Sequence, residues 1–121
     1  MAKIIECVPN ISEGRNHEVI EACVDTVRNT AGVTLLDYSS DASHNRSVIT
    51  FMGSPEGVMN AATALAKKAA ELIDLNHHQG EHPRMGAVDV IPLIPMKDVT
   101  KEETVEYSKQ LAERIWNEAG I

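Results

Sequence analysis

The stretch RSVITFMGSPE, residues 46–56, fixes the rhythm of the chain. Its first part alternates through Val48, Thr50 and Phe51, the period of a β-strand over residues 46–52. Its second part changes period. Ser54 is a helix cap, Pro55 takes the first helical position where its missing N–H is harmless, and Glu56 complements the positive end of the helix dipole. Val58, Met59, Ala62, Leu65, Ala66, Ala69, Leu72 and Ile73 then share one stripe, which predicts a helix to about residue 75.

Upstream, residues 3–8 read as a short buried strand closed by Pro9-Asn10, and NISEGRN, residues 10–16, as a turn. From His17 the apolar positions Val19, Ile20, Cys23, Val24 and Val27 mark a helix with one buried face, ended by residues 29–32 with Gly32 at the exit. Residues 33–37 (VTLLD) read as a strand and residues 39–45 as a polar turn. Downstream, residues 76–86 cannot be helical, and residues 87–95 (AVDVIPLIP) read as a fourth strand in which Pro92 signals an edge or a bulge. Thr100 and Glu103 have the spacing of a capping box, and a last helix follows with Val105, Leu111, Ala112, Ile115 and Trp116 as its apolar side. The order βαββαβα predicts an α+β, ferredoxin-like sandwich: helices on one face of a mostly antiparallel four-stranded sheet.

At 121 residues the chain is one domain with room for a modest core. Only 3% of residues are aromatic, so aliphatic side chains and alanine must fill that core. The net charge is −7 and no basic cluster exceeds Lys67-Lys68, which argues against nucleic acid and anionic membranes as partners. Cys7 and Cys23 lie in apolar segments and read as buried thiols rather than a disulfide. No apolar run is long enough for a membrane span or a signal peptide, so the expected location is the cytosol.

The segment HHQGEHPRMGA, residues 77–87, concentrates titratable chemistry. Pro83 pushes His82 toward extended geometry, and Gly80 and Gly86 give the segment turning freedom. Three readings compete. His77, His78 and His82 could ligate a metal, although their spacing is not that of the usual zinc sites. They could be solvated loop residues. Or one histidine could serve as an acid/base group near neutral pH, with the Arg84 guanidinium holding a substrate carboxylate.

A resemblance bears on these alternatives. GEHPRMGAVDVIPLIP at residues 80–95, ECVPNISEG at 6–14 and LLDYSSDASHNRSV at 35–48 closely resemble the motifs of the glutamate formiminotransferase family, and the similarity runs from Lys3 to the end. The resemblance implies transfer of a formimino group between N-formiminoglutamate and tetrahydrofolate in histidine breakdown, with formyl transfer between 5-formyltetrahydrofolate and glutamate as the alternative. It implies tetrahydrofolate as co-substrate, no metal, and His82 as the catalytic acid/base. For substrate and folate the candidate positions are Asn10, Asp37, Arg46, Gly80, Glu81 and Arg84. Asn10 with Ser12, Glu13 and Gly14 reads as a turn before a helix, an ordinary strand-to-helix connection or else one suited to anion binding. Some relatives carry an acidic residue two positions after Asp37; Ser39 stands there in this chain, with Asp41 further on, so the carboxylate partner of His82 stays open.

The family's transferase unit consists of two similar subdomains with folate between them. Residues 1–121 correspond to most of the first, without its last strand and without the second subdomain. The expectation is therefore an enzyme subdomain acting alone, as a homo-oligomer or with a partner chain that completes its site, or else a non-catalytic folate-binding or interaction module of the same fold.

Overall fold

A single line of backbone from Ile4 to Ile11 forms the spine of the sheet. The computed structural model describes residues 3–11, 17–41, 43, 46–72 and 88–119. Its elements are β1 (Ile4–Cys7), β2 (Asn10–Ile11), α1 (His17–Arg28), β3 (Val33–Asp41), β4 (Arg46–Gly53), α2 (Pro55–Leu72), β5 (Val88–Val90), β6 (Leu93–Lys97) and α3 (Lys101–Ala119).

The six strand segments lie on four lines. β1 and β2 keep one register against β4, from Ile5↔Gly53 and Cys7↔Phe51 to Asn10↔Val48 and Ile11↔Ser47. The break between them is one missing rung. Ile49 N donates to Pro9 O at 3.0 Å, but Pro9 has no N–H to return the bond. The same happens on the other side, where Val8 N donates to Pro92 O at 3.3 Å and Pro92 returns nothing. β6 and β5 are thus one line broken at Pro92, which among the described residues pairs only with β1 and β2. The lateral order is β3, β4, β1/β2, β6/β5, with every pairing antiparallel. This is the split βαβ arrangement, and the α+β sandwich expected from sequence stands.

Three bounds differ from the sequence reading. The first strand does not close at Pro9-Asn10, because a proline removes one bond without ending the extended backbone. The strand from Val33 does not stop at Asp37 but runs to Asp41. Its outer part is polar because both of its faces are largely exposed, so it carries no apolar alternation. Residues 87–95 are not one strand but two segments separated by Ile91-Pro92.

Side-chain alternation sends Ile5, Cys7, Ile11, Ile49 and Phe51 to one face, where all are fully buried. Against them pack Ile20, Cys23, Val24 and Val27 of α1, Val58, Ala61, Ala62, Leu65, Ala66 and Ala69 of α2, and Leu111 and Ile115 of α3. The alanines of α2 let that helix lie close to the sheet. Arg114 of α3 reaches across to Asn60 Oδ1 of α2 at 2.8 Å. The apolar side assigned to α3 from sequence is one position out of phase at its ends: Val105 is 55% and Trp116 62% exposed, while Thr104, Leu111 and Ile115 face inward.

Both helix starts form as their sequences dictate. Gly57 N donates to Ser54 Oγ at 3.1 Å. At α3, Thr100 N donates to Glu103 Oε1 (3.0 Å) and Glu103 N to Thr100 Oγ1 (3.1 Å), a reciprocal capping box. The β4–α2 junction lies under the turn that leads into β3. Gly32 adopts φ +81°, and a Cβ on Gly53 would sit 2.1 Å from Gly32 O. Glycine is the one residue that fits at Gly53.

Candidate functional site

The three described helices pack on the same face of the sheet, and the polar residues Asn10, Ser39, Asp41 and Arg46 lie on the opposite face. A β-bulge at Leu35/Asp37 resets the alternation of β3. Beyond it, Asp37, Ser39 and Asp41 share the bare face with their partners Thr50, Val48 and Arg46. Asn10 pairs with Val48 from the other side. A row Asn10–Val48–Ser39 therefore crosses three strand lines, with Asp41 and Arg46 at the next rung on that face. Together with Ser40 these residues line a pocket of about 290 Å³.

The pocket combines one guanidinium, one carboxylate, one side-chain amide and the Ser39 hydroxyl on the sheet. The Asp41 carboxylate accepts from Ser43 N at 2.9 Å, which fixes the strand end. Ser40 Oγ lies 3.0 Å from Ser47 Oγ, pinning β3 to β4. Such a set suits a small molecule bearing a carboxylate and a hydrogen-bond donor: the Arg46 fork matches the first and Asp41 the second.

The candidates from sequence fall in three groups. Asn10 and Arg46 are brought together in the pocket. Asn10 does so from within the sheet rather than from the turn expected of it; Ser12, Glu13 and Gly14 lie outside the described residues. Asp37 shares the bare face but stands further along β3 and does not line the pocket. Gly80, Glu81, His82 and Arg84 lie outside the described residues, as do His77 and His78. The chain re-enters the sheet at Val88, whose register partner is Ile11, next to Asn10. The sequence reading does not single out Ser40 or Val48, and it treats Ser39 and Asp41 only as a departure from a family pattern. Their signal was alternation: residues 37, 39 and 41 share a face once the strand is known to continue.

The cysteines belong to the core. Both are free and buried, as expected. Burial pushes the Cys7 thiol up to about 12, so it is protonated and unreactive at neutral pH. Among the described residues no group of three or more His, Cys, Asp or Glu side chains is placed to hold a metal ion. No described helix is long and apolar enough to cross a membrane.

Fold and site together define a split βαβ sandwich with a small polar cleft on its bare sheet face. The chain belongs to the formiminotransferase family: the family model for the formiminotransferase domain, N-terminal subdomain, matches residues 4–121. It is 60% identical over 121 residues to a glutamate formimidoyltransferase of Streptococcus pyogenes serotype M1, covering 100% of this chain and 40% of that protein. It is 50% identical to the formimidoyltransferase-cyclodeaminase of Dictyostelium discoideum, again over the whole chain but over 22% of the relative. A glutamate formimidoyltransferase of Thermoplasma acidophilum is 44% identical over 118 residues, 39% of its length. The chain thus spans two fifths or less of these relatives.

Proposed function

We propose that this chain forms half of a formiminotransferase site that moves a formimino group between N-formiminoglutamate and tetrahydrofolate, with the Asn10–Arg46 pocket holding the glutamate part. One observation carries the reading: Asn10 and Arg46, both candidates from sequence, line one pocket on the bare sheet face. Identity of 60% to a glutamate formimidoyltransferase supports the reaction class.

Arg46 binds a glutamate carboxylate in its fork, and Asn10 and the Ser39 hydroxyl satisfy the remaining polar atoms. In the transfer step a folate nitrogen attacks the formimidoyl carbon and a tetrahedral intermediate forms. That nitrogen gives up its proton to His82, acting as base. The bond between the formimidoyl carbon and the glutamate nitrogen then breaks, and His82 returns the proton to the departing nitrogen. Glutamate and formimino-tetrahydrofolate result, with atoms and charge balanced and no electron transferred. A second subdomain, in the same polypeptide or a partner chain, supplies the other wall of the folate site.

The test is a calorimetric titration of the purified protein with tetrahydrofolate and with N-formiminoglutamate, with and without zinc, followed by an assay of formimino transfer on the same sample. Binding of both ligands with turnover, indifferent to zinc, is expected of the protein completed by its second subdomain, and little or no turnover of residues 1–121 alone. Turnover with 5-formyltetrahydrofolate and glutamate alone would move the assignment to formyl transfer. Stoichiometric zinc binding with no folate binding would overturn it.

A further inference from the structure

The wall of the pocket formed by Ser39, Ser40 and Asp41 belongs to an edge strand. β3 pairs with β4 and, on its other side, with no strand among the described residues. An edge strand is held by one ladder instead of two. In β3 that ladder is broken by the bulge at Leu35/Asp37, so the outer part of the strand is not rigidly continuous with the inner part. A site on such a strand needs another support.

Tyr38 supplies one from the opposite face. It sits between Asp37 and Ser39, and alternation turns its ring toward the helices, where it packs against the core. Its hydroxyl donates to Glu21 Oε2 of α1. Arg28 Nη2 donates to the same hydroxyl at 3.4 Å, and the Arg28 guanidinium lies over the ring, 5.5 Å from its centroid. Arg28 is itself fixed along α1 by Asp25 Oδ1 at 2.8 Å and Glu21 Oε1 at 3.3 Å. The cluster joins α1 to β3 at the residue next to Ser39.

We propose that Tyr38 is a positioning residue, whose hydroxyl on Glu21 and Arg28 sets where Ser39 and Asp41 stand in the pocket. This rests on the reading of that pocket as the glutamate subsite. Adjacent strand residues share a backbone, so a shift of Tyr38 toward or away from α1 carries Ser39 with it. The Tyr38 side chain touches no ligand; it acts through the strand.

The test uses Tyr38→Phe in the full-length protein, which keeps the ring packing and removes the hydroxyl. Arg46→Ala is the companion variant. Hydrogen exchange by mass spectrometry reads peptides covering residues 37–41, with residues 4–7 and 49–51 as internal controls. N-formiminoglutamate is the ligand for calorimetry and for steady-state kinetics. In Tyr38→Phe, exchange is expected to rise at residues 37–41 and not at the controls. Kd and KM for N-formiminoglutamate rise about 3- to 10-fold, while kcat stays within about 2-fold. A purely structural role would instead lower the melting temperature and leave Kd below the transition unchanged. An unchanged Kd in Tyr38→Phe, with binding lost in Arg46→Ala, overturns the positioning role and leaves the pocket standing. An unchanged Kd in Arg46→Ala overturns the pocket, and the inference with it.

Discussion

Asp41 and Arg46 are the outermost register partners of the β3–β4 pairing and share the side of the sheet that none of the described helices covers. A carboxylate and a guanidinium at one rung, both lining a pocket, give that end of the sheet a charge on each side of any ligand that enters.

Arg46→Ala is expected to weaken binding of N-formiminoglutamate at least about tenfold, because a hydrogen bond to a charged group contributes about 1.5–3 kcal/mol. Arg46→Lys should restore part of it, since lysine keeps the charge and loses the fork. Calorimetry on the three proteins decides. Equal affinities would remove Arg46 from the site.

If His82 carries the proton as proposed, His82→Ala should lower the transfer rate about 10²- to 10⁴-fold. His78→Ala should retain most of the activity. Comparable losses from both substitutions would refute a single proton-carrying histidine.

Replacing Gly53 by alanine places a Cβ 2.1 Å from Gly32 O, so one of two backbones must move. The expected loss is about 3 kcal/mol, near the upper end for overpacking, or roughly 10 °C in melting temperature. Ser54→Ala next to it removes only the cap and should cost about 1 kcal/mol. Thermal melts followed by circular dichroism rank the two; the reverse order would contradict the geometry.

Stability should depend on pH through the contact between Lys3 and Glu103. The hydrogen bond from Lys3 holds the Glu103 carboxyl below its usual range, and Glu103 in turn raises Lys3. A lowered carboxyl contributes stability above its unfolded pKa, and that contribution fades as pH falls through the folded value. A raised lysine contributes below its unfolded pKa and loses the contribution as pH rises through the folded value. The pair therefore supports the fold across neutral pH and releases it at both extremes. Both side chains are solvent-exposed, so the effect is small and sensitive to salt. Melts of Glu103→Gln from pH 3 to 7 should show a shallower acid limb than the parent protein. An identical limb would assign the acid sensitivity elsewhere.

Neither cysteine should react with a disulfide reagent in the folded protein. With the thiol of Cys7 pushed up to about 12, less than about one molecule in ten thousand carries the thiolate at neutral pH. Both should label after addition of guanidinium. Rapid labelling of Cys7 without denaturant would show that the helix layer opens far more readily than its packing implies.

The sandwich was legible because its signals are local and strong. Ser54-Pro55 and the Thr100/Glu103 box each announce a helix start, and each forms the expected bonds. The extent of β3 was not legible. Beyond the bulge only Tyr38 is partly buried, and Ser39 and Asp41 are exposed, so the strand's polar end looks like a turn. Asn10 looked like a turn residue for a similar reason, since Pro-Asn is ordinarily a stop and here it costs one rung. Two of the six residues that line the pocket, Asn10 and Arg46, were candidates from sequence. The others required the register of β3 against β4, and register depends on pairing partners that no single segment contains.

The position of the spine also governs how the protein is born. Ile5 leaves the ribosome well before its two neighbours in the sheet, Gly53 and Pro95, the second about ninety residues later. At about 5–20 residues per second, the nascent strand waits roughly 5–20 s with one flank unpaired. Closing contacts at such separation makes folding slow. The apolar row Ile4, Ile5, Cys7 and Val8 is therefore the segment a chaperone should hold during synthesis.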